Sequence, residues 1–128
     1  MRTIKFRAKN INGVWYYGSL VYSKEIDAAI YFQTGAGSVK GMDWVYVNPE
    51  TIGQFTGLRD AHGKEIYEGD ILDFNGLKIE VRFVRGVFAL LCNGDLDNEL
   101  CGDCRTDMFA KVIGNIHDNP ELLKGGEE

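Results

Sequence analysis

The segment TIGQFTGLRDAHGKEIYEGDILDF, residues 51–74, decides the fold class of this chain. Residues 51–56 are rich in β-branched and aromatic side chains, which predicts a strand. Gly53 inside that run indicates a β-bulge or a close backbone approach. Gly69-Asp70 predicts a tight turn into a second, apolar strand. The segment therefore predicts a strand–turn–strand corner of a β domain.

The sequence after this segment continues as a β-meander. Asn75-Gly76 is the dipeptide most typical of a two-residue hairpin, and it leads into a strand over residues 78–84. A glycine turn then leads into the apolar run 87–92. Residues 111–116 predict a last strand. A proline near the first helical position of residues 118–123 predicts a short terminal helical turn.

The sequence before the segment predicts a hairpin followed by a less regular stretch. Residues 2–9 alternate between apolar and basic side chains, and residues 14–22 form a strong aromatic and β-branched run. Asn12-Gly13 predicts the hairpin turn between them. Within residues 23–48, the stretch from Ile26 to Phe32 alternates, residues 35–38 indicate a turn, and residues 44–47 predict a short strand. The stretch as a whole is interpreted as a looser excursion between two better-defined parts.

Short strands, glycine turns and the near absence of helical periodicity indicate a mainly β fold. The expected architecture is a small, partly open SH3-like barrel built from hairpins, with a short C-terminal helical turn. A chain of 128 residues fits one domain. We therefore predict a single β domain over residues 1–124 and a frayed tail over residues 125–128.

Composition and charge limit the classes of function. Fourteen basic residues against nineteen acidic ones give a net charge of −5, which argues against binding held mainly by phosphate contacts. No apolar run approaches the roughly 18–20 residues that span a bilayer, and no apolar signal segment opens the chain. We expect no membrane association, no cofactor and a location in the cytoplasm.

The cysteines offer a weak metal site. Cys92, Cys101 and Cys104 could join His117 in a Cys₃His zinc site, because zinc favours four thiolate or imidazole ligands in a tetrahedron. A strong zinc signature would contain a second paired knuckle, and here the remaining partners are single residues. The preferred interpretation is that Cys92 is a small buried hydrophobe and that the other two cysteines lie on a polar loop.

Acidic residues in the turns form a second candidate site. Carboxylates converging from turns could bind Mg²⁺ or Ca²⁺ or act as an acid–base pair. The candidates are Asp60, Glu65, Glu68, Asp70 and Asp73. The preferred interpretation is that Asp60 and Asp70 accept backbone N–H bonds and lock their turns. With Gly53, Gly57 and Gly69 they are interpreted as structural turn residues, and His62 as a turn residue rather than a catalytic base.

A basic strand and an aromatic strand form the third candidate. Lys5 and Arg7 lie on one face of the first predicted strand, opposite Phe6. Consecutive aromatic residues from Trp15 to Tyr17 place at least one large ring on the outer face of the second strand. An exposed ring of this kind either stacks a nucleic-acid base or lies in a subunit interface. Given the net charge, a subunit interface is the preferred interpretation.

Four stretches resemble those of a known family: IKFRA at 4–8, TIGQFTGLRD at 51–60, GKEIYEGDI at 63–71 and VIGNI at 112–116. On these stretches the chain resembles the YopX-like family from residue 4 to Leu123, least closely over residues 23–45 and 93–107. The resemblance implies a mainly β protein of a phage or prophage. The family has no established biochemical activity, so the resemblance supplies no catalytic residue. The cysteines lie in the weakly matching part, which weakens the zinc hypothesis further.

The sequence therefore leads to three hypotheses of function. The first is a non-enzymatic β module that self-associates into a homo-oligomer and acts in the bacterial host cytoplasm. This hypothesis also allows binding to a host or phage protein. The second is a nucleic-acid-binding accessory protein that uses Lys5, Arg7, Trp15 and Tyr17. The third is a small metal-binding protein or enzyme.

Overall fold

The computed structural model describes residues 3–25, 27–36, 39–92, 99–100 and 110–124. Within these ranges the regular structure consists of eleven β-strands and two 3-10 helices, Pro49–Thr51 and Pro120–Lys124. The strands are β1 (Phe6–Lys9), β2 (Trp15–Ser23), β3 (Asp27–Ala36), β4 (Val39–Tyr46), β5 (Gly53–Arg59), β6 (Glu65–Tyr67), β7 (Asp70–Phe74), β8 (Leu77–Val84), β9 (Val87–Cys92), β10 (Glu99–Leu100) and β11 (Ala110–Asn115).

The chain forms two compact units, Met1–Phe55 and Thr56–Glu128, and β5 passes from the first into the second. The expectation of one domain over residues 1–124 stays a prediction, and the tail 125–128 lies outside the described residues. No helix in the described part of the chain has the length and apolar composition that crossing a membrane requires.

The first unit is an antiparallel sheet in which β2 changes partner along its length. The strand order of the whole sheet is β4-β3-β2-β1-β5-β6, and β6 belongs to the second unit. Residues 15–18 of β2 pair with β1, and residues 19–23 pair with β3. Gly18 lies at the change of partner, where a Cβ atom would overlap the carbonyl oxygen of Tyr31 in β3. The absence of a side chain at this position therefore lets β3 approach β2 closely.

The inner face of this sheet encloses a small apolar core. Ala8, Ala28 and Ile30 are fully buried there, and Val47 is 7% exposed. Five partly buried residues complete the cluster: Phe6, Tyr16, Leu20, Val45 and Ile52. Each strand contributes alternate residues to the core, so the residues between them face the opposite side.

The second unit is built on the meander β7-β8-β9, with β11 beside β7 and β10 beside β9. Its core cluster contains Ile66, Leu72, Ile79, Val81, Leu90 and Ala110. The hairpin between β7 and β8 turns through Asn75 and Gly76, whose φ angles of 55° and 93° suit a tight type I′ turn. The predicted meander and its Asn-Gly turn are therefore confirmed.

The sequence-based expectation of a mainly β fold made of hairpins, with a short C-terminal helical turn, is confirmed. The described strands form open antiparallel sheets and do not close a barrel. The interpretation of residues 23–48 as a looser excursion is wrong. Strands β3 and β4 pair continuously from Ala29 opposite Tyr46 to Ala36 opposite Val39. The alternation from Ala28 to Phe32 and the short strand expected at residues 44–47 are parts of this hairpin, whose length the sequence did not indicate.

We predict that Gly18→Ala lowers the free energy of unfolding by about 2–3 kcal/mol, because the added methyl group forces the backbones of β2 and β3 apart. Gly41→Ala in β4 is the matched control, since its Cβ would meet only Thr34 Oγ1, at 3.3 Å. Urea unfolding followed by tryptophan fluorescence measures both. Equal stability of the two variants would contradict the close approach at Gly18.

Candidate interaction site

The outer face of the first unit's sheet carries exposed aromatic rings. Tyr31 in β3 and Trp44 in β4 are direct cross-strand partners. Their ring centroids lie 6.1 Å apart, with the planes at 25°. Tyr46 meets Trp44 edge to face, with centroids 4.8 Å apart. Because the core residues Val45 and Val47 alternate with Trp44 and Tyr46, these rings point away from the core.

Two further residues extend this surface. Met42 is 64% exposed and stands two residues before Trp44, on the same side of β4. Tyr17 is 48% exposed and precedes Ser19, the cross-strand partner of Tyr31, by two residues. We call Tyr17, Tyr31, Met42, Trp44 and Tyr46 the aromatic face. Trp44 and Tyr46 remain 43% and 56% exposed in spite of their mutual contacts.

The basic residues of β1 cover aromatic rings next to this surface. The guanidinium carbon of Arg7 lies 4.7 Å from the centroid of the Trp15 ring, and Lys9 Nζ lies 5.4 Å from it. Lys5 Nζ lies 5.5 Å from the centroid of Phe55. Arg7 is only 6% exposed. The structure therefore brings Arg7 and Trp15 together as a cation–π pair, whereas Tyr17 is exposed.

Strand β4 is the edge of the first unit's sheet, and an acidic side chain protects it. The Val47 N–H donates to Ala28 O at 3.1 Å. Since the bonds of an antiparallel ladder alternate, the N–H groups of Trp44 and Tyr46 point away from β3. Asp43 Oδ1 accepts the Trp44 N–H at 2.8 Å. This carboxylate occupies a donor that would otherwise be open to another strand.

Asp60 ties a turn of the second unit to a distant strand. Its Oδ1 accepts the N–H groups of His62 at 2.9 Å and Lys64 at 2.8 Å, and its Oδ2 accepts the Val112 N–H at 2.9 Å. Asp60 is 4% exposed. Burial alone would raise the pKa of its carboxyl, but the N–H bonds, with a smaller effect of the nearby His62, hold that pKa below the ordinary 3.8.

Gly69 and Asp70 form the second acidic turn. Asp70 is 2% exposed, and its Oδ2 accepts the Tyr67 N–H at 2.7 Å. Gly69 has φ +94°, a conformation that glycine adopts without steric cost. Its N–H donates to Val81 O at 2.8 Å, and its carbonyl accepts the Ile116 N–H at 2.9 Å. These contacts join the main chain of the turn to β8 and to the residue that follows β11.

The remaining turn candidates have local contacts. Gly57 has φ +87° within β5, whereas Gly53 is buried and pairs with Arg7. Glu65 Oε2 forms an ion pair with Arg59 at 3.4 Å, and its Oε1 accepts the Tyr67 O–H at 3.0 Å. Asp73 Oδ1 accepts the Gly76 N–H at 2.9 Å.

The cysteine hypothesis falls partly outside the described residues. Cys92 is half-buried at the end of β9 with a free thiol, and the His117 N–H donates to Asn115 Oδ1 at 2.9 Å. Cys101 and Cys104 lie among the residues that are not described. Within the described ranges, no three His, Cys, Asp or Glu side chains come together as a metal site.

Sequence reasoning missed Met42 and Asp43, which fall in the stretch interpreted as an excursion. The sequence predicted a strand only over residues 44–47, and the alternation of Met42, Trp44 and Tyr46 with Val45 is the signal that could have extended it and shown its outer face. The contact of Asp43 with the Trp44 N–H leaves no pattern in the sequence, because its role depends on β4 being the edge strand of the sheet.

The sequence and the structure of this chain are both similar to those of known proteins. Residues 5–124 match the family described as YopX protein. A solved structure of protein EF1440 from Enterococcus faecalis is similar, with a TM-score of 0.65 and 25% sequence identity. The match covers 96% of this chain and 99% of that one. No curated protein matches the sequence.

We predict that Asp60→Ala lowers the free energy of unfolding by roughly 2–4 kcal/mol near neutral pH, because three backbone N–H groups lose a charged acceptor. The folded-state pKa lies below the ordinary 3.8, so the carboxylate's contribution is present above that pH and is lost as pH falls through the folded value. Urea unfolding at several pH values should therefore show the gap between wild type and variant closing in acid. Asp73→Ala, which removes one exposed bond, should cost less than about 1 kcal/mol. A gap for Asp60→Ala that is independent of pH would contradict this role.

We predict that Asp43→Ala increases aggregation on mild heating, because the Trp44 N–H becomes available for pairing at the edge of β4. Asp43→Asn keeps an acceptor oxygen and removes the charge, so it should aggregate more slowly than the alanine variant. Light scattering with thioflavin fluorescence measures the rates. Aggregation of the asparagine variant at the alanine variant's rate would show that charge, rather than the occupied N–H, protects the edge.

Proposed function

Because this chain belongs to the YopX protein family, we propose that it is a non-enzymatic β module of a phage or prophage. It acts in the cytoplasm of the bacterial host, and it binds a second copy of itself through the aromatic face. The observation that supports this proposal best is the contact of Tyr31, Trp44 and Tyr46, whose rings touch one another while two of them stay about half exposed.

The aromatic face suits an interface because its rings are already ordered. Tyr and Trp are enriched at protein interfaces, where they supply a large contact area. Association costs less conformational entropy when the contacting side chains are fixed beforehand. Trp44 is held by Tyr31 on one side and by Tyr46 on the other. A second copy could therefore cover these rings without first ordering them.

The protected edge favours association through the face rather than by strand addition. Asp43 occupies the Trp44 N–H, which a strand pairing along the whole of β4 would need. Two copies related by a twofold axis can instead place the same face against itself. Sheets packed in this way lie about 10 Å apart, which leaves room for interdigitated aromatic side chains.

The distribution of charge is compatible with this contact. Residues 1–55 contain six Lys and Arg against four Asp and Glu, whereas residues 56–128 contain eight against fifteen. The aromatic face therefore belongs to the nearly neutral unit. Two such faces repel each other weakly, whereas the acidic residues elsewhere oppose indiscriminate association.

A nucleic-acid-binding accessory protein is the second candidate, supported by the positive balance of residues 1–55 and by the exposed ring of Tyr17. The burial of Arg7 against Trp15 weighs against it, because that guanidinium is turned to a ring rather than to a phosphate. Retention on single-stranded DNA or RNA that falls steeply with salt would favour this candidate over self-association.

We predict that the protein is a dimer or larger oligomer in size-exclusion chromatography with light scattering. Trp44→Lys should weaken association at least about tenfold, because in a twofold interface the two introduced charges lie close together. Phe83→Lys is the matched control: Phe83 is 49% exposed and also contacts a second ring, that of Phe88, with centroids 5.1 Å apart.

The control variant should keep the wild-type oligomeric state. Two results would contradict the proposal: a strict monomer at the highest accessible concentration, or equal dissociation of the Trp44 and Phe83 variants. Thermal melts of all three proteins separate a loss of association from a loss of folding.

A further inference from the structure

A cavity of about 360 Å³ lies in the first unit, where the end of β4 meets the turn between β1 and β2. It is lined by Asn10, Ile11, Tyr46, Val47 and Asn48. Ligand pockets in proteins commonly begin at about 300 Å³, so this volume suits a small group rather than a large molecule. None of the five lining side chains carries a charge at neutral pH, which favours an uncharged occupant.

The two asparagines are fixed by the turns that they stabilise. Asn10 Oδ1 accepts the N–H groups of Asn12 at 3.0 Å and Val14 at 2.9 Å. Asn48 Oδ1 accepts the Glu50 N–H at 3.0 Å. Within the part of the chain that the structure describes, neither amide nitrogen donates a hydrogen bond. Each asparagine thus uses its oxygen for the fold and has its NH₂ group available as a donor to a ligand.

Tyr46 adds main-chain groups and an aromatic wall. It is the last residue of the edge strand β4, and its N–H and C=O point away from β3. An extended peptide uses the same donor and acceptor pair when it adds to a sheet edge. Val47 is 7% exposed and faces the core, whereas Ile11 is 96% exposed, so an apolar side chain entering here meets Ile11 and the Tyr46 ring rather than Val47.

Asp43 limits how far such a peptide could pair along the strand. Its carboxylate occupies the Trp44 N–H, two residues from Tyr46. Continued pairing along β4 would have to displace it, whereas pairing at Tyr46 alone would not. The available hydrogen bonds are thus confined to the end of the strand, next to the cavity. This confinement matches a segment of two or three residues.

We propose that this cavity binds a short, uncharged, extended peptide segment of a partner protein. The segment pairs with the main chain of Tyr46, accepts hydrogen bonds from Asn10 and Asn48, and places one apolar side chain between Ile11 and the Tyr46 ring. The proposal goes beyond self-association and does not depend on it. A sugar, which could also stack on the tyrosine ring, is the competing occupant in the test.

The test is selection from a displayed library of random linear peptides of about ten residues, a length that covers the proposed segment. The wild-type protein serves as bait, and the double variant Asn10→Asp, Asn48→Asp is the counter-selection. Aspartate keeps the side-chain oxygens that cap the turns and replaces both NH₂ donors with acceptors. The double variant should therefore melt close to the wild-type temperature.

We expect the selected peptides to share an apolar residue flanked by uncharged residues. In fluorescence polarisation, the double variant and Ile11→Asp should each bind them at least about tenfold more weakly than wild type. Val87→Asp is the matched control for Ile11→Asp, because Val87 is also an exposed apolar residue of a strand end, at 56% exposure. The control should bind the peptides as wild type does.

Three results would overturn the proposal. They are a failure to enrich any peptide over the counter-selection, equal affinity of wild type and the double variant, and binding of methyl glucoside at this site without peptide binding. Tyr46 belongs to both surfaces, so the selection is also run with the Trp44→Lys variant as bait, in which self-association is weakened. Light scattering reports self-association and polarisation reports peptide binding, so a failure of one proposal is distinguishable from a failure of the other. If the protein dimerises but selects no peptide, the proposal of self-association stands and the proposal of peptide binding is wrong.

Discussion

One strand with two consecutive partners sets the geometry of the first unit. β2 pairs with β1 over its first four residues and with β3 over the rest, and the change falls at Gly18. Because β3 approaches the backbone of β2 at this point, the sheet can enclose a core of small residues such as Ala8 and Ala28. Strand alternation divides the aromatic rings between the two faces: Phe6 and Tyr16 pack against the core, whereas Tyr31, Trp44 and Tyr46 lie on the opposite face.

Local chemistry made much of the fold predictable. Asn75-Gly76 specifies its turn because both residues need positive φ angles, and the turn aligns the strands on either side of it. The sequence also indicated that Asp60 and Asp70 accept backbone N–H groups, since aspartate does so within a few residues of itself. What could not be predicted was the partner of Asp60 in β11, because sequence spacing does not encode which strand arrives at a turn.

The candidate site was less predictable than the fold, for a physical reason. Strand alternation predicted that Lys5 and Arg7 share one face of their strand, but alternation does not say what covers a face. Arg7 is buried against Trp15, whose position depends on the register between β1 and β2. The roles of Asp43, Asn10 and Asn48 were also missed, since each depends on the position of the side chain beside a sheet edge. Surface chemistry in this protein is decided by tertiary placement.

The three hydrogen bonds of Asp60 differ in the length of chain that each of them closes. Those to His62 and Lys64 span two and four residues, whereas the bond to Val112 spans 52. Short loops close with little entropic cost and on fast timescales, so the turn can form while β11 is still unattached. The carboxylate then presents its second oxygen as a fixed receptor for the incoming strand. Loop-closure entropy thus favours the attachment of β11 to a turn that Asp60 has already fixed.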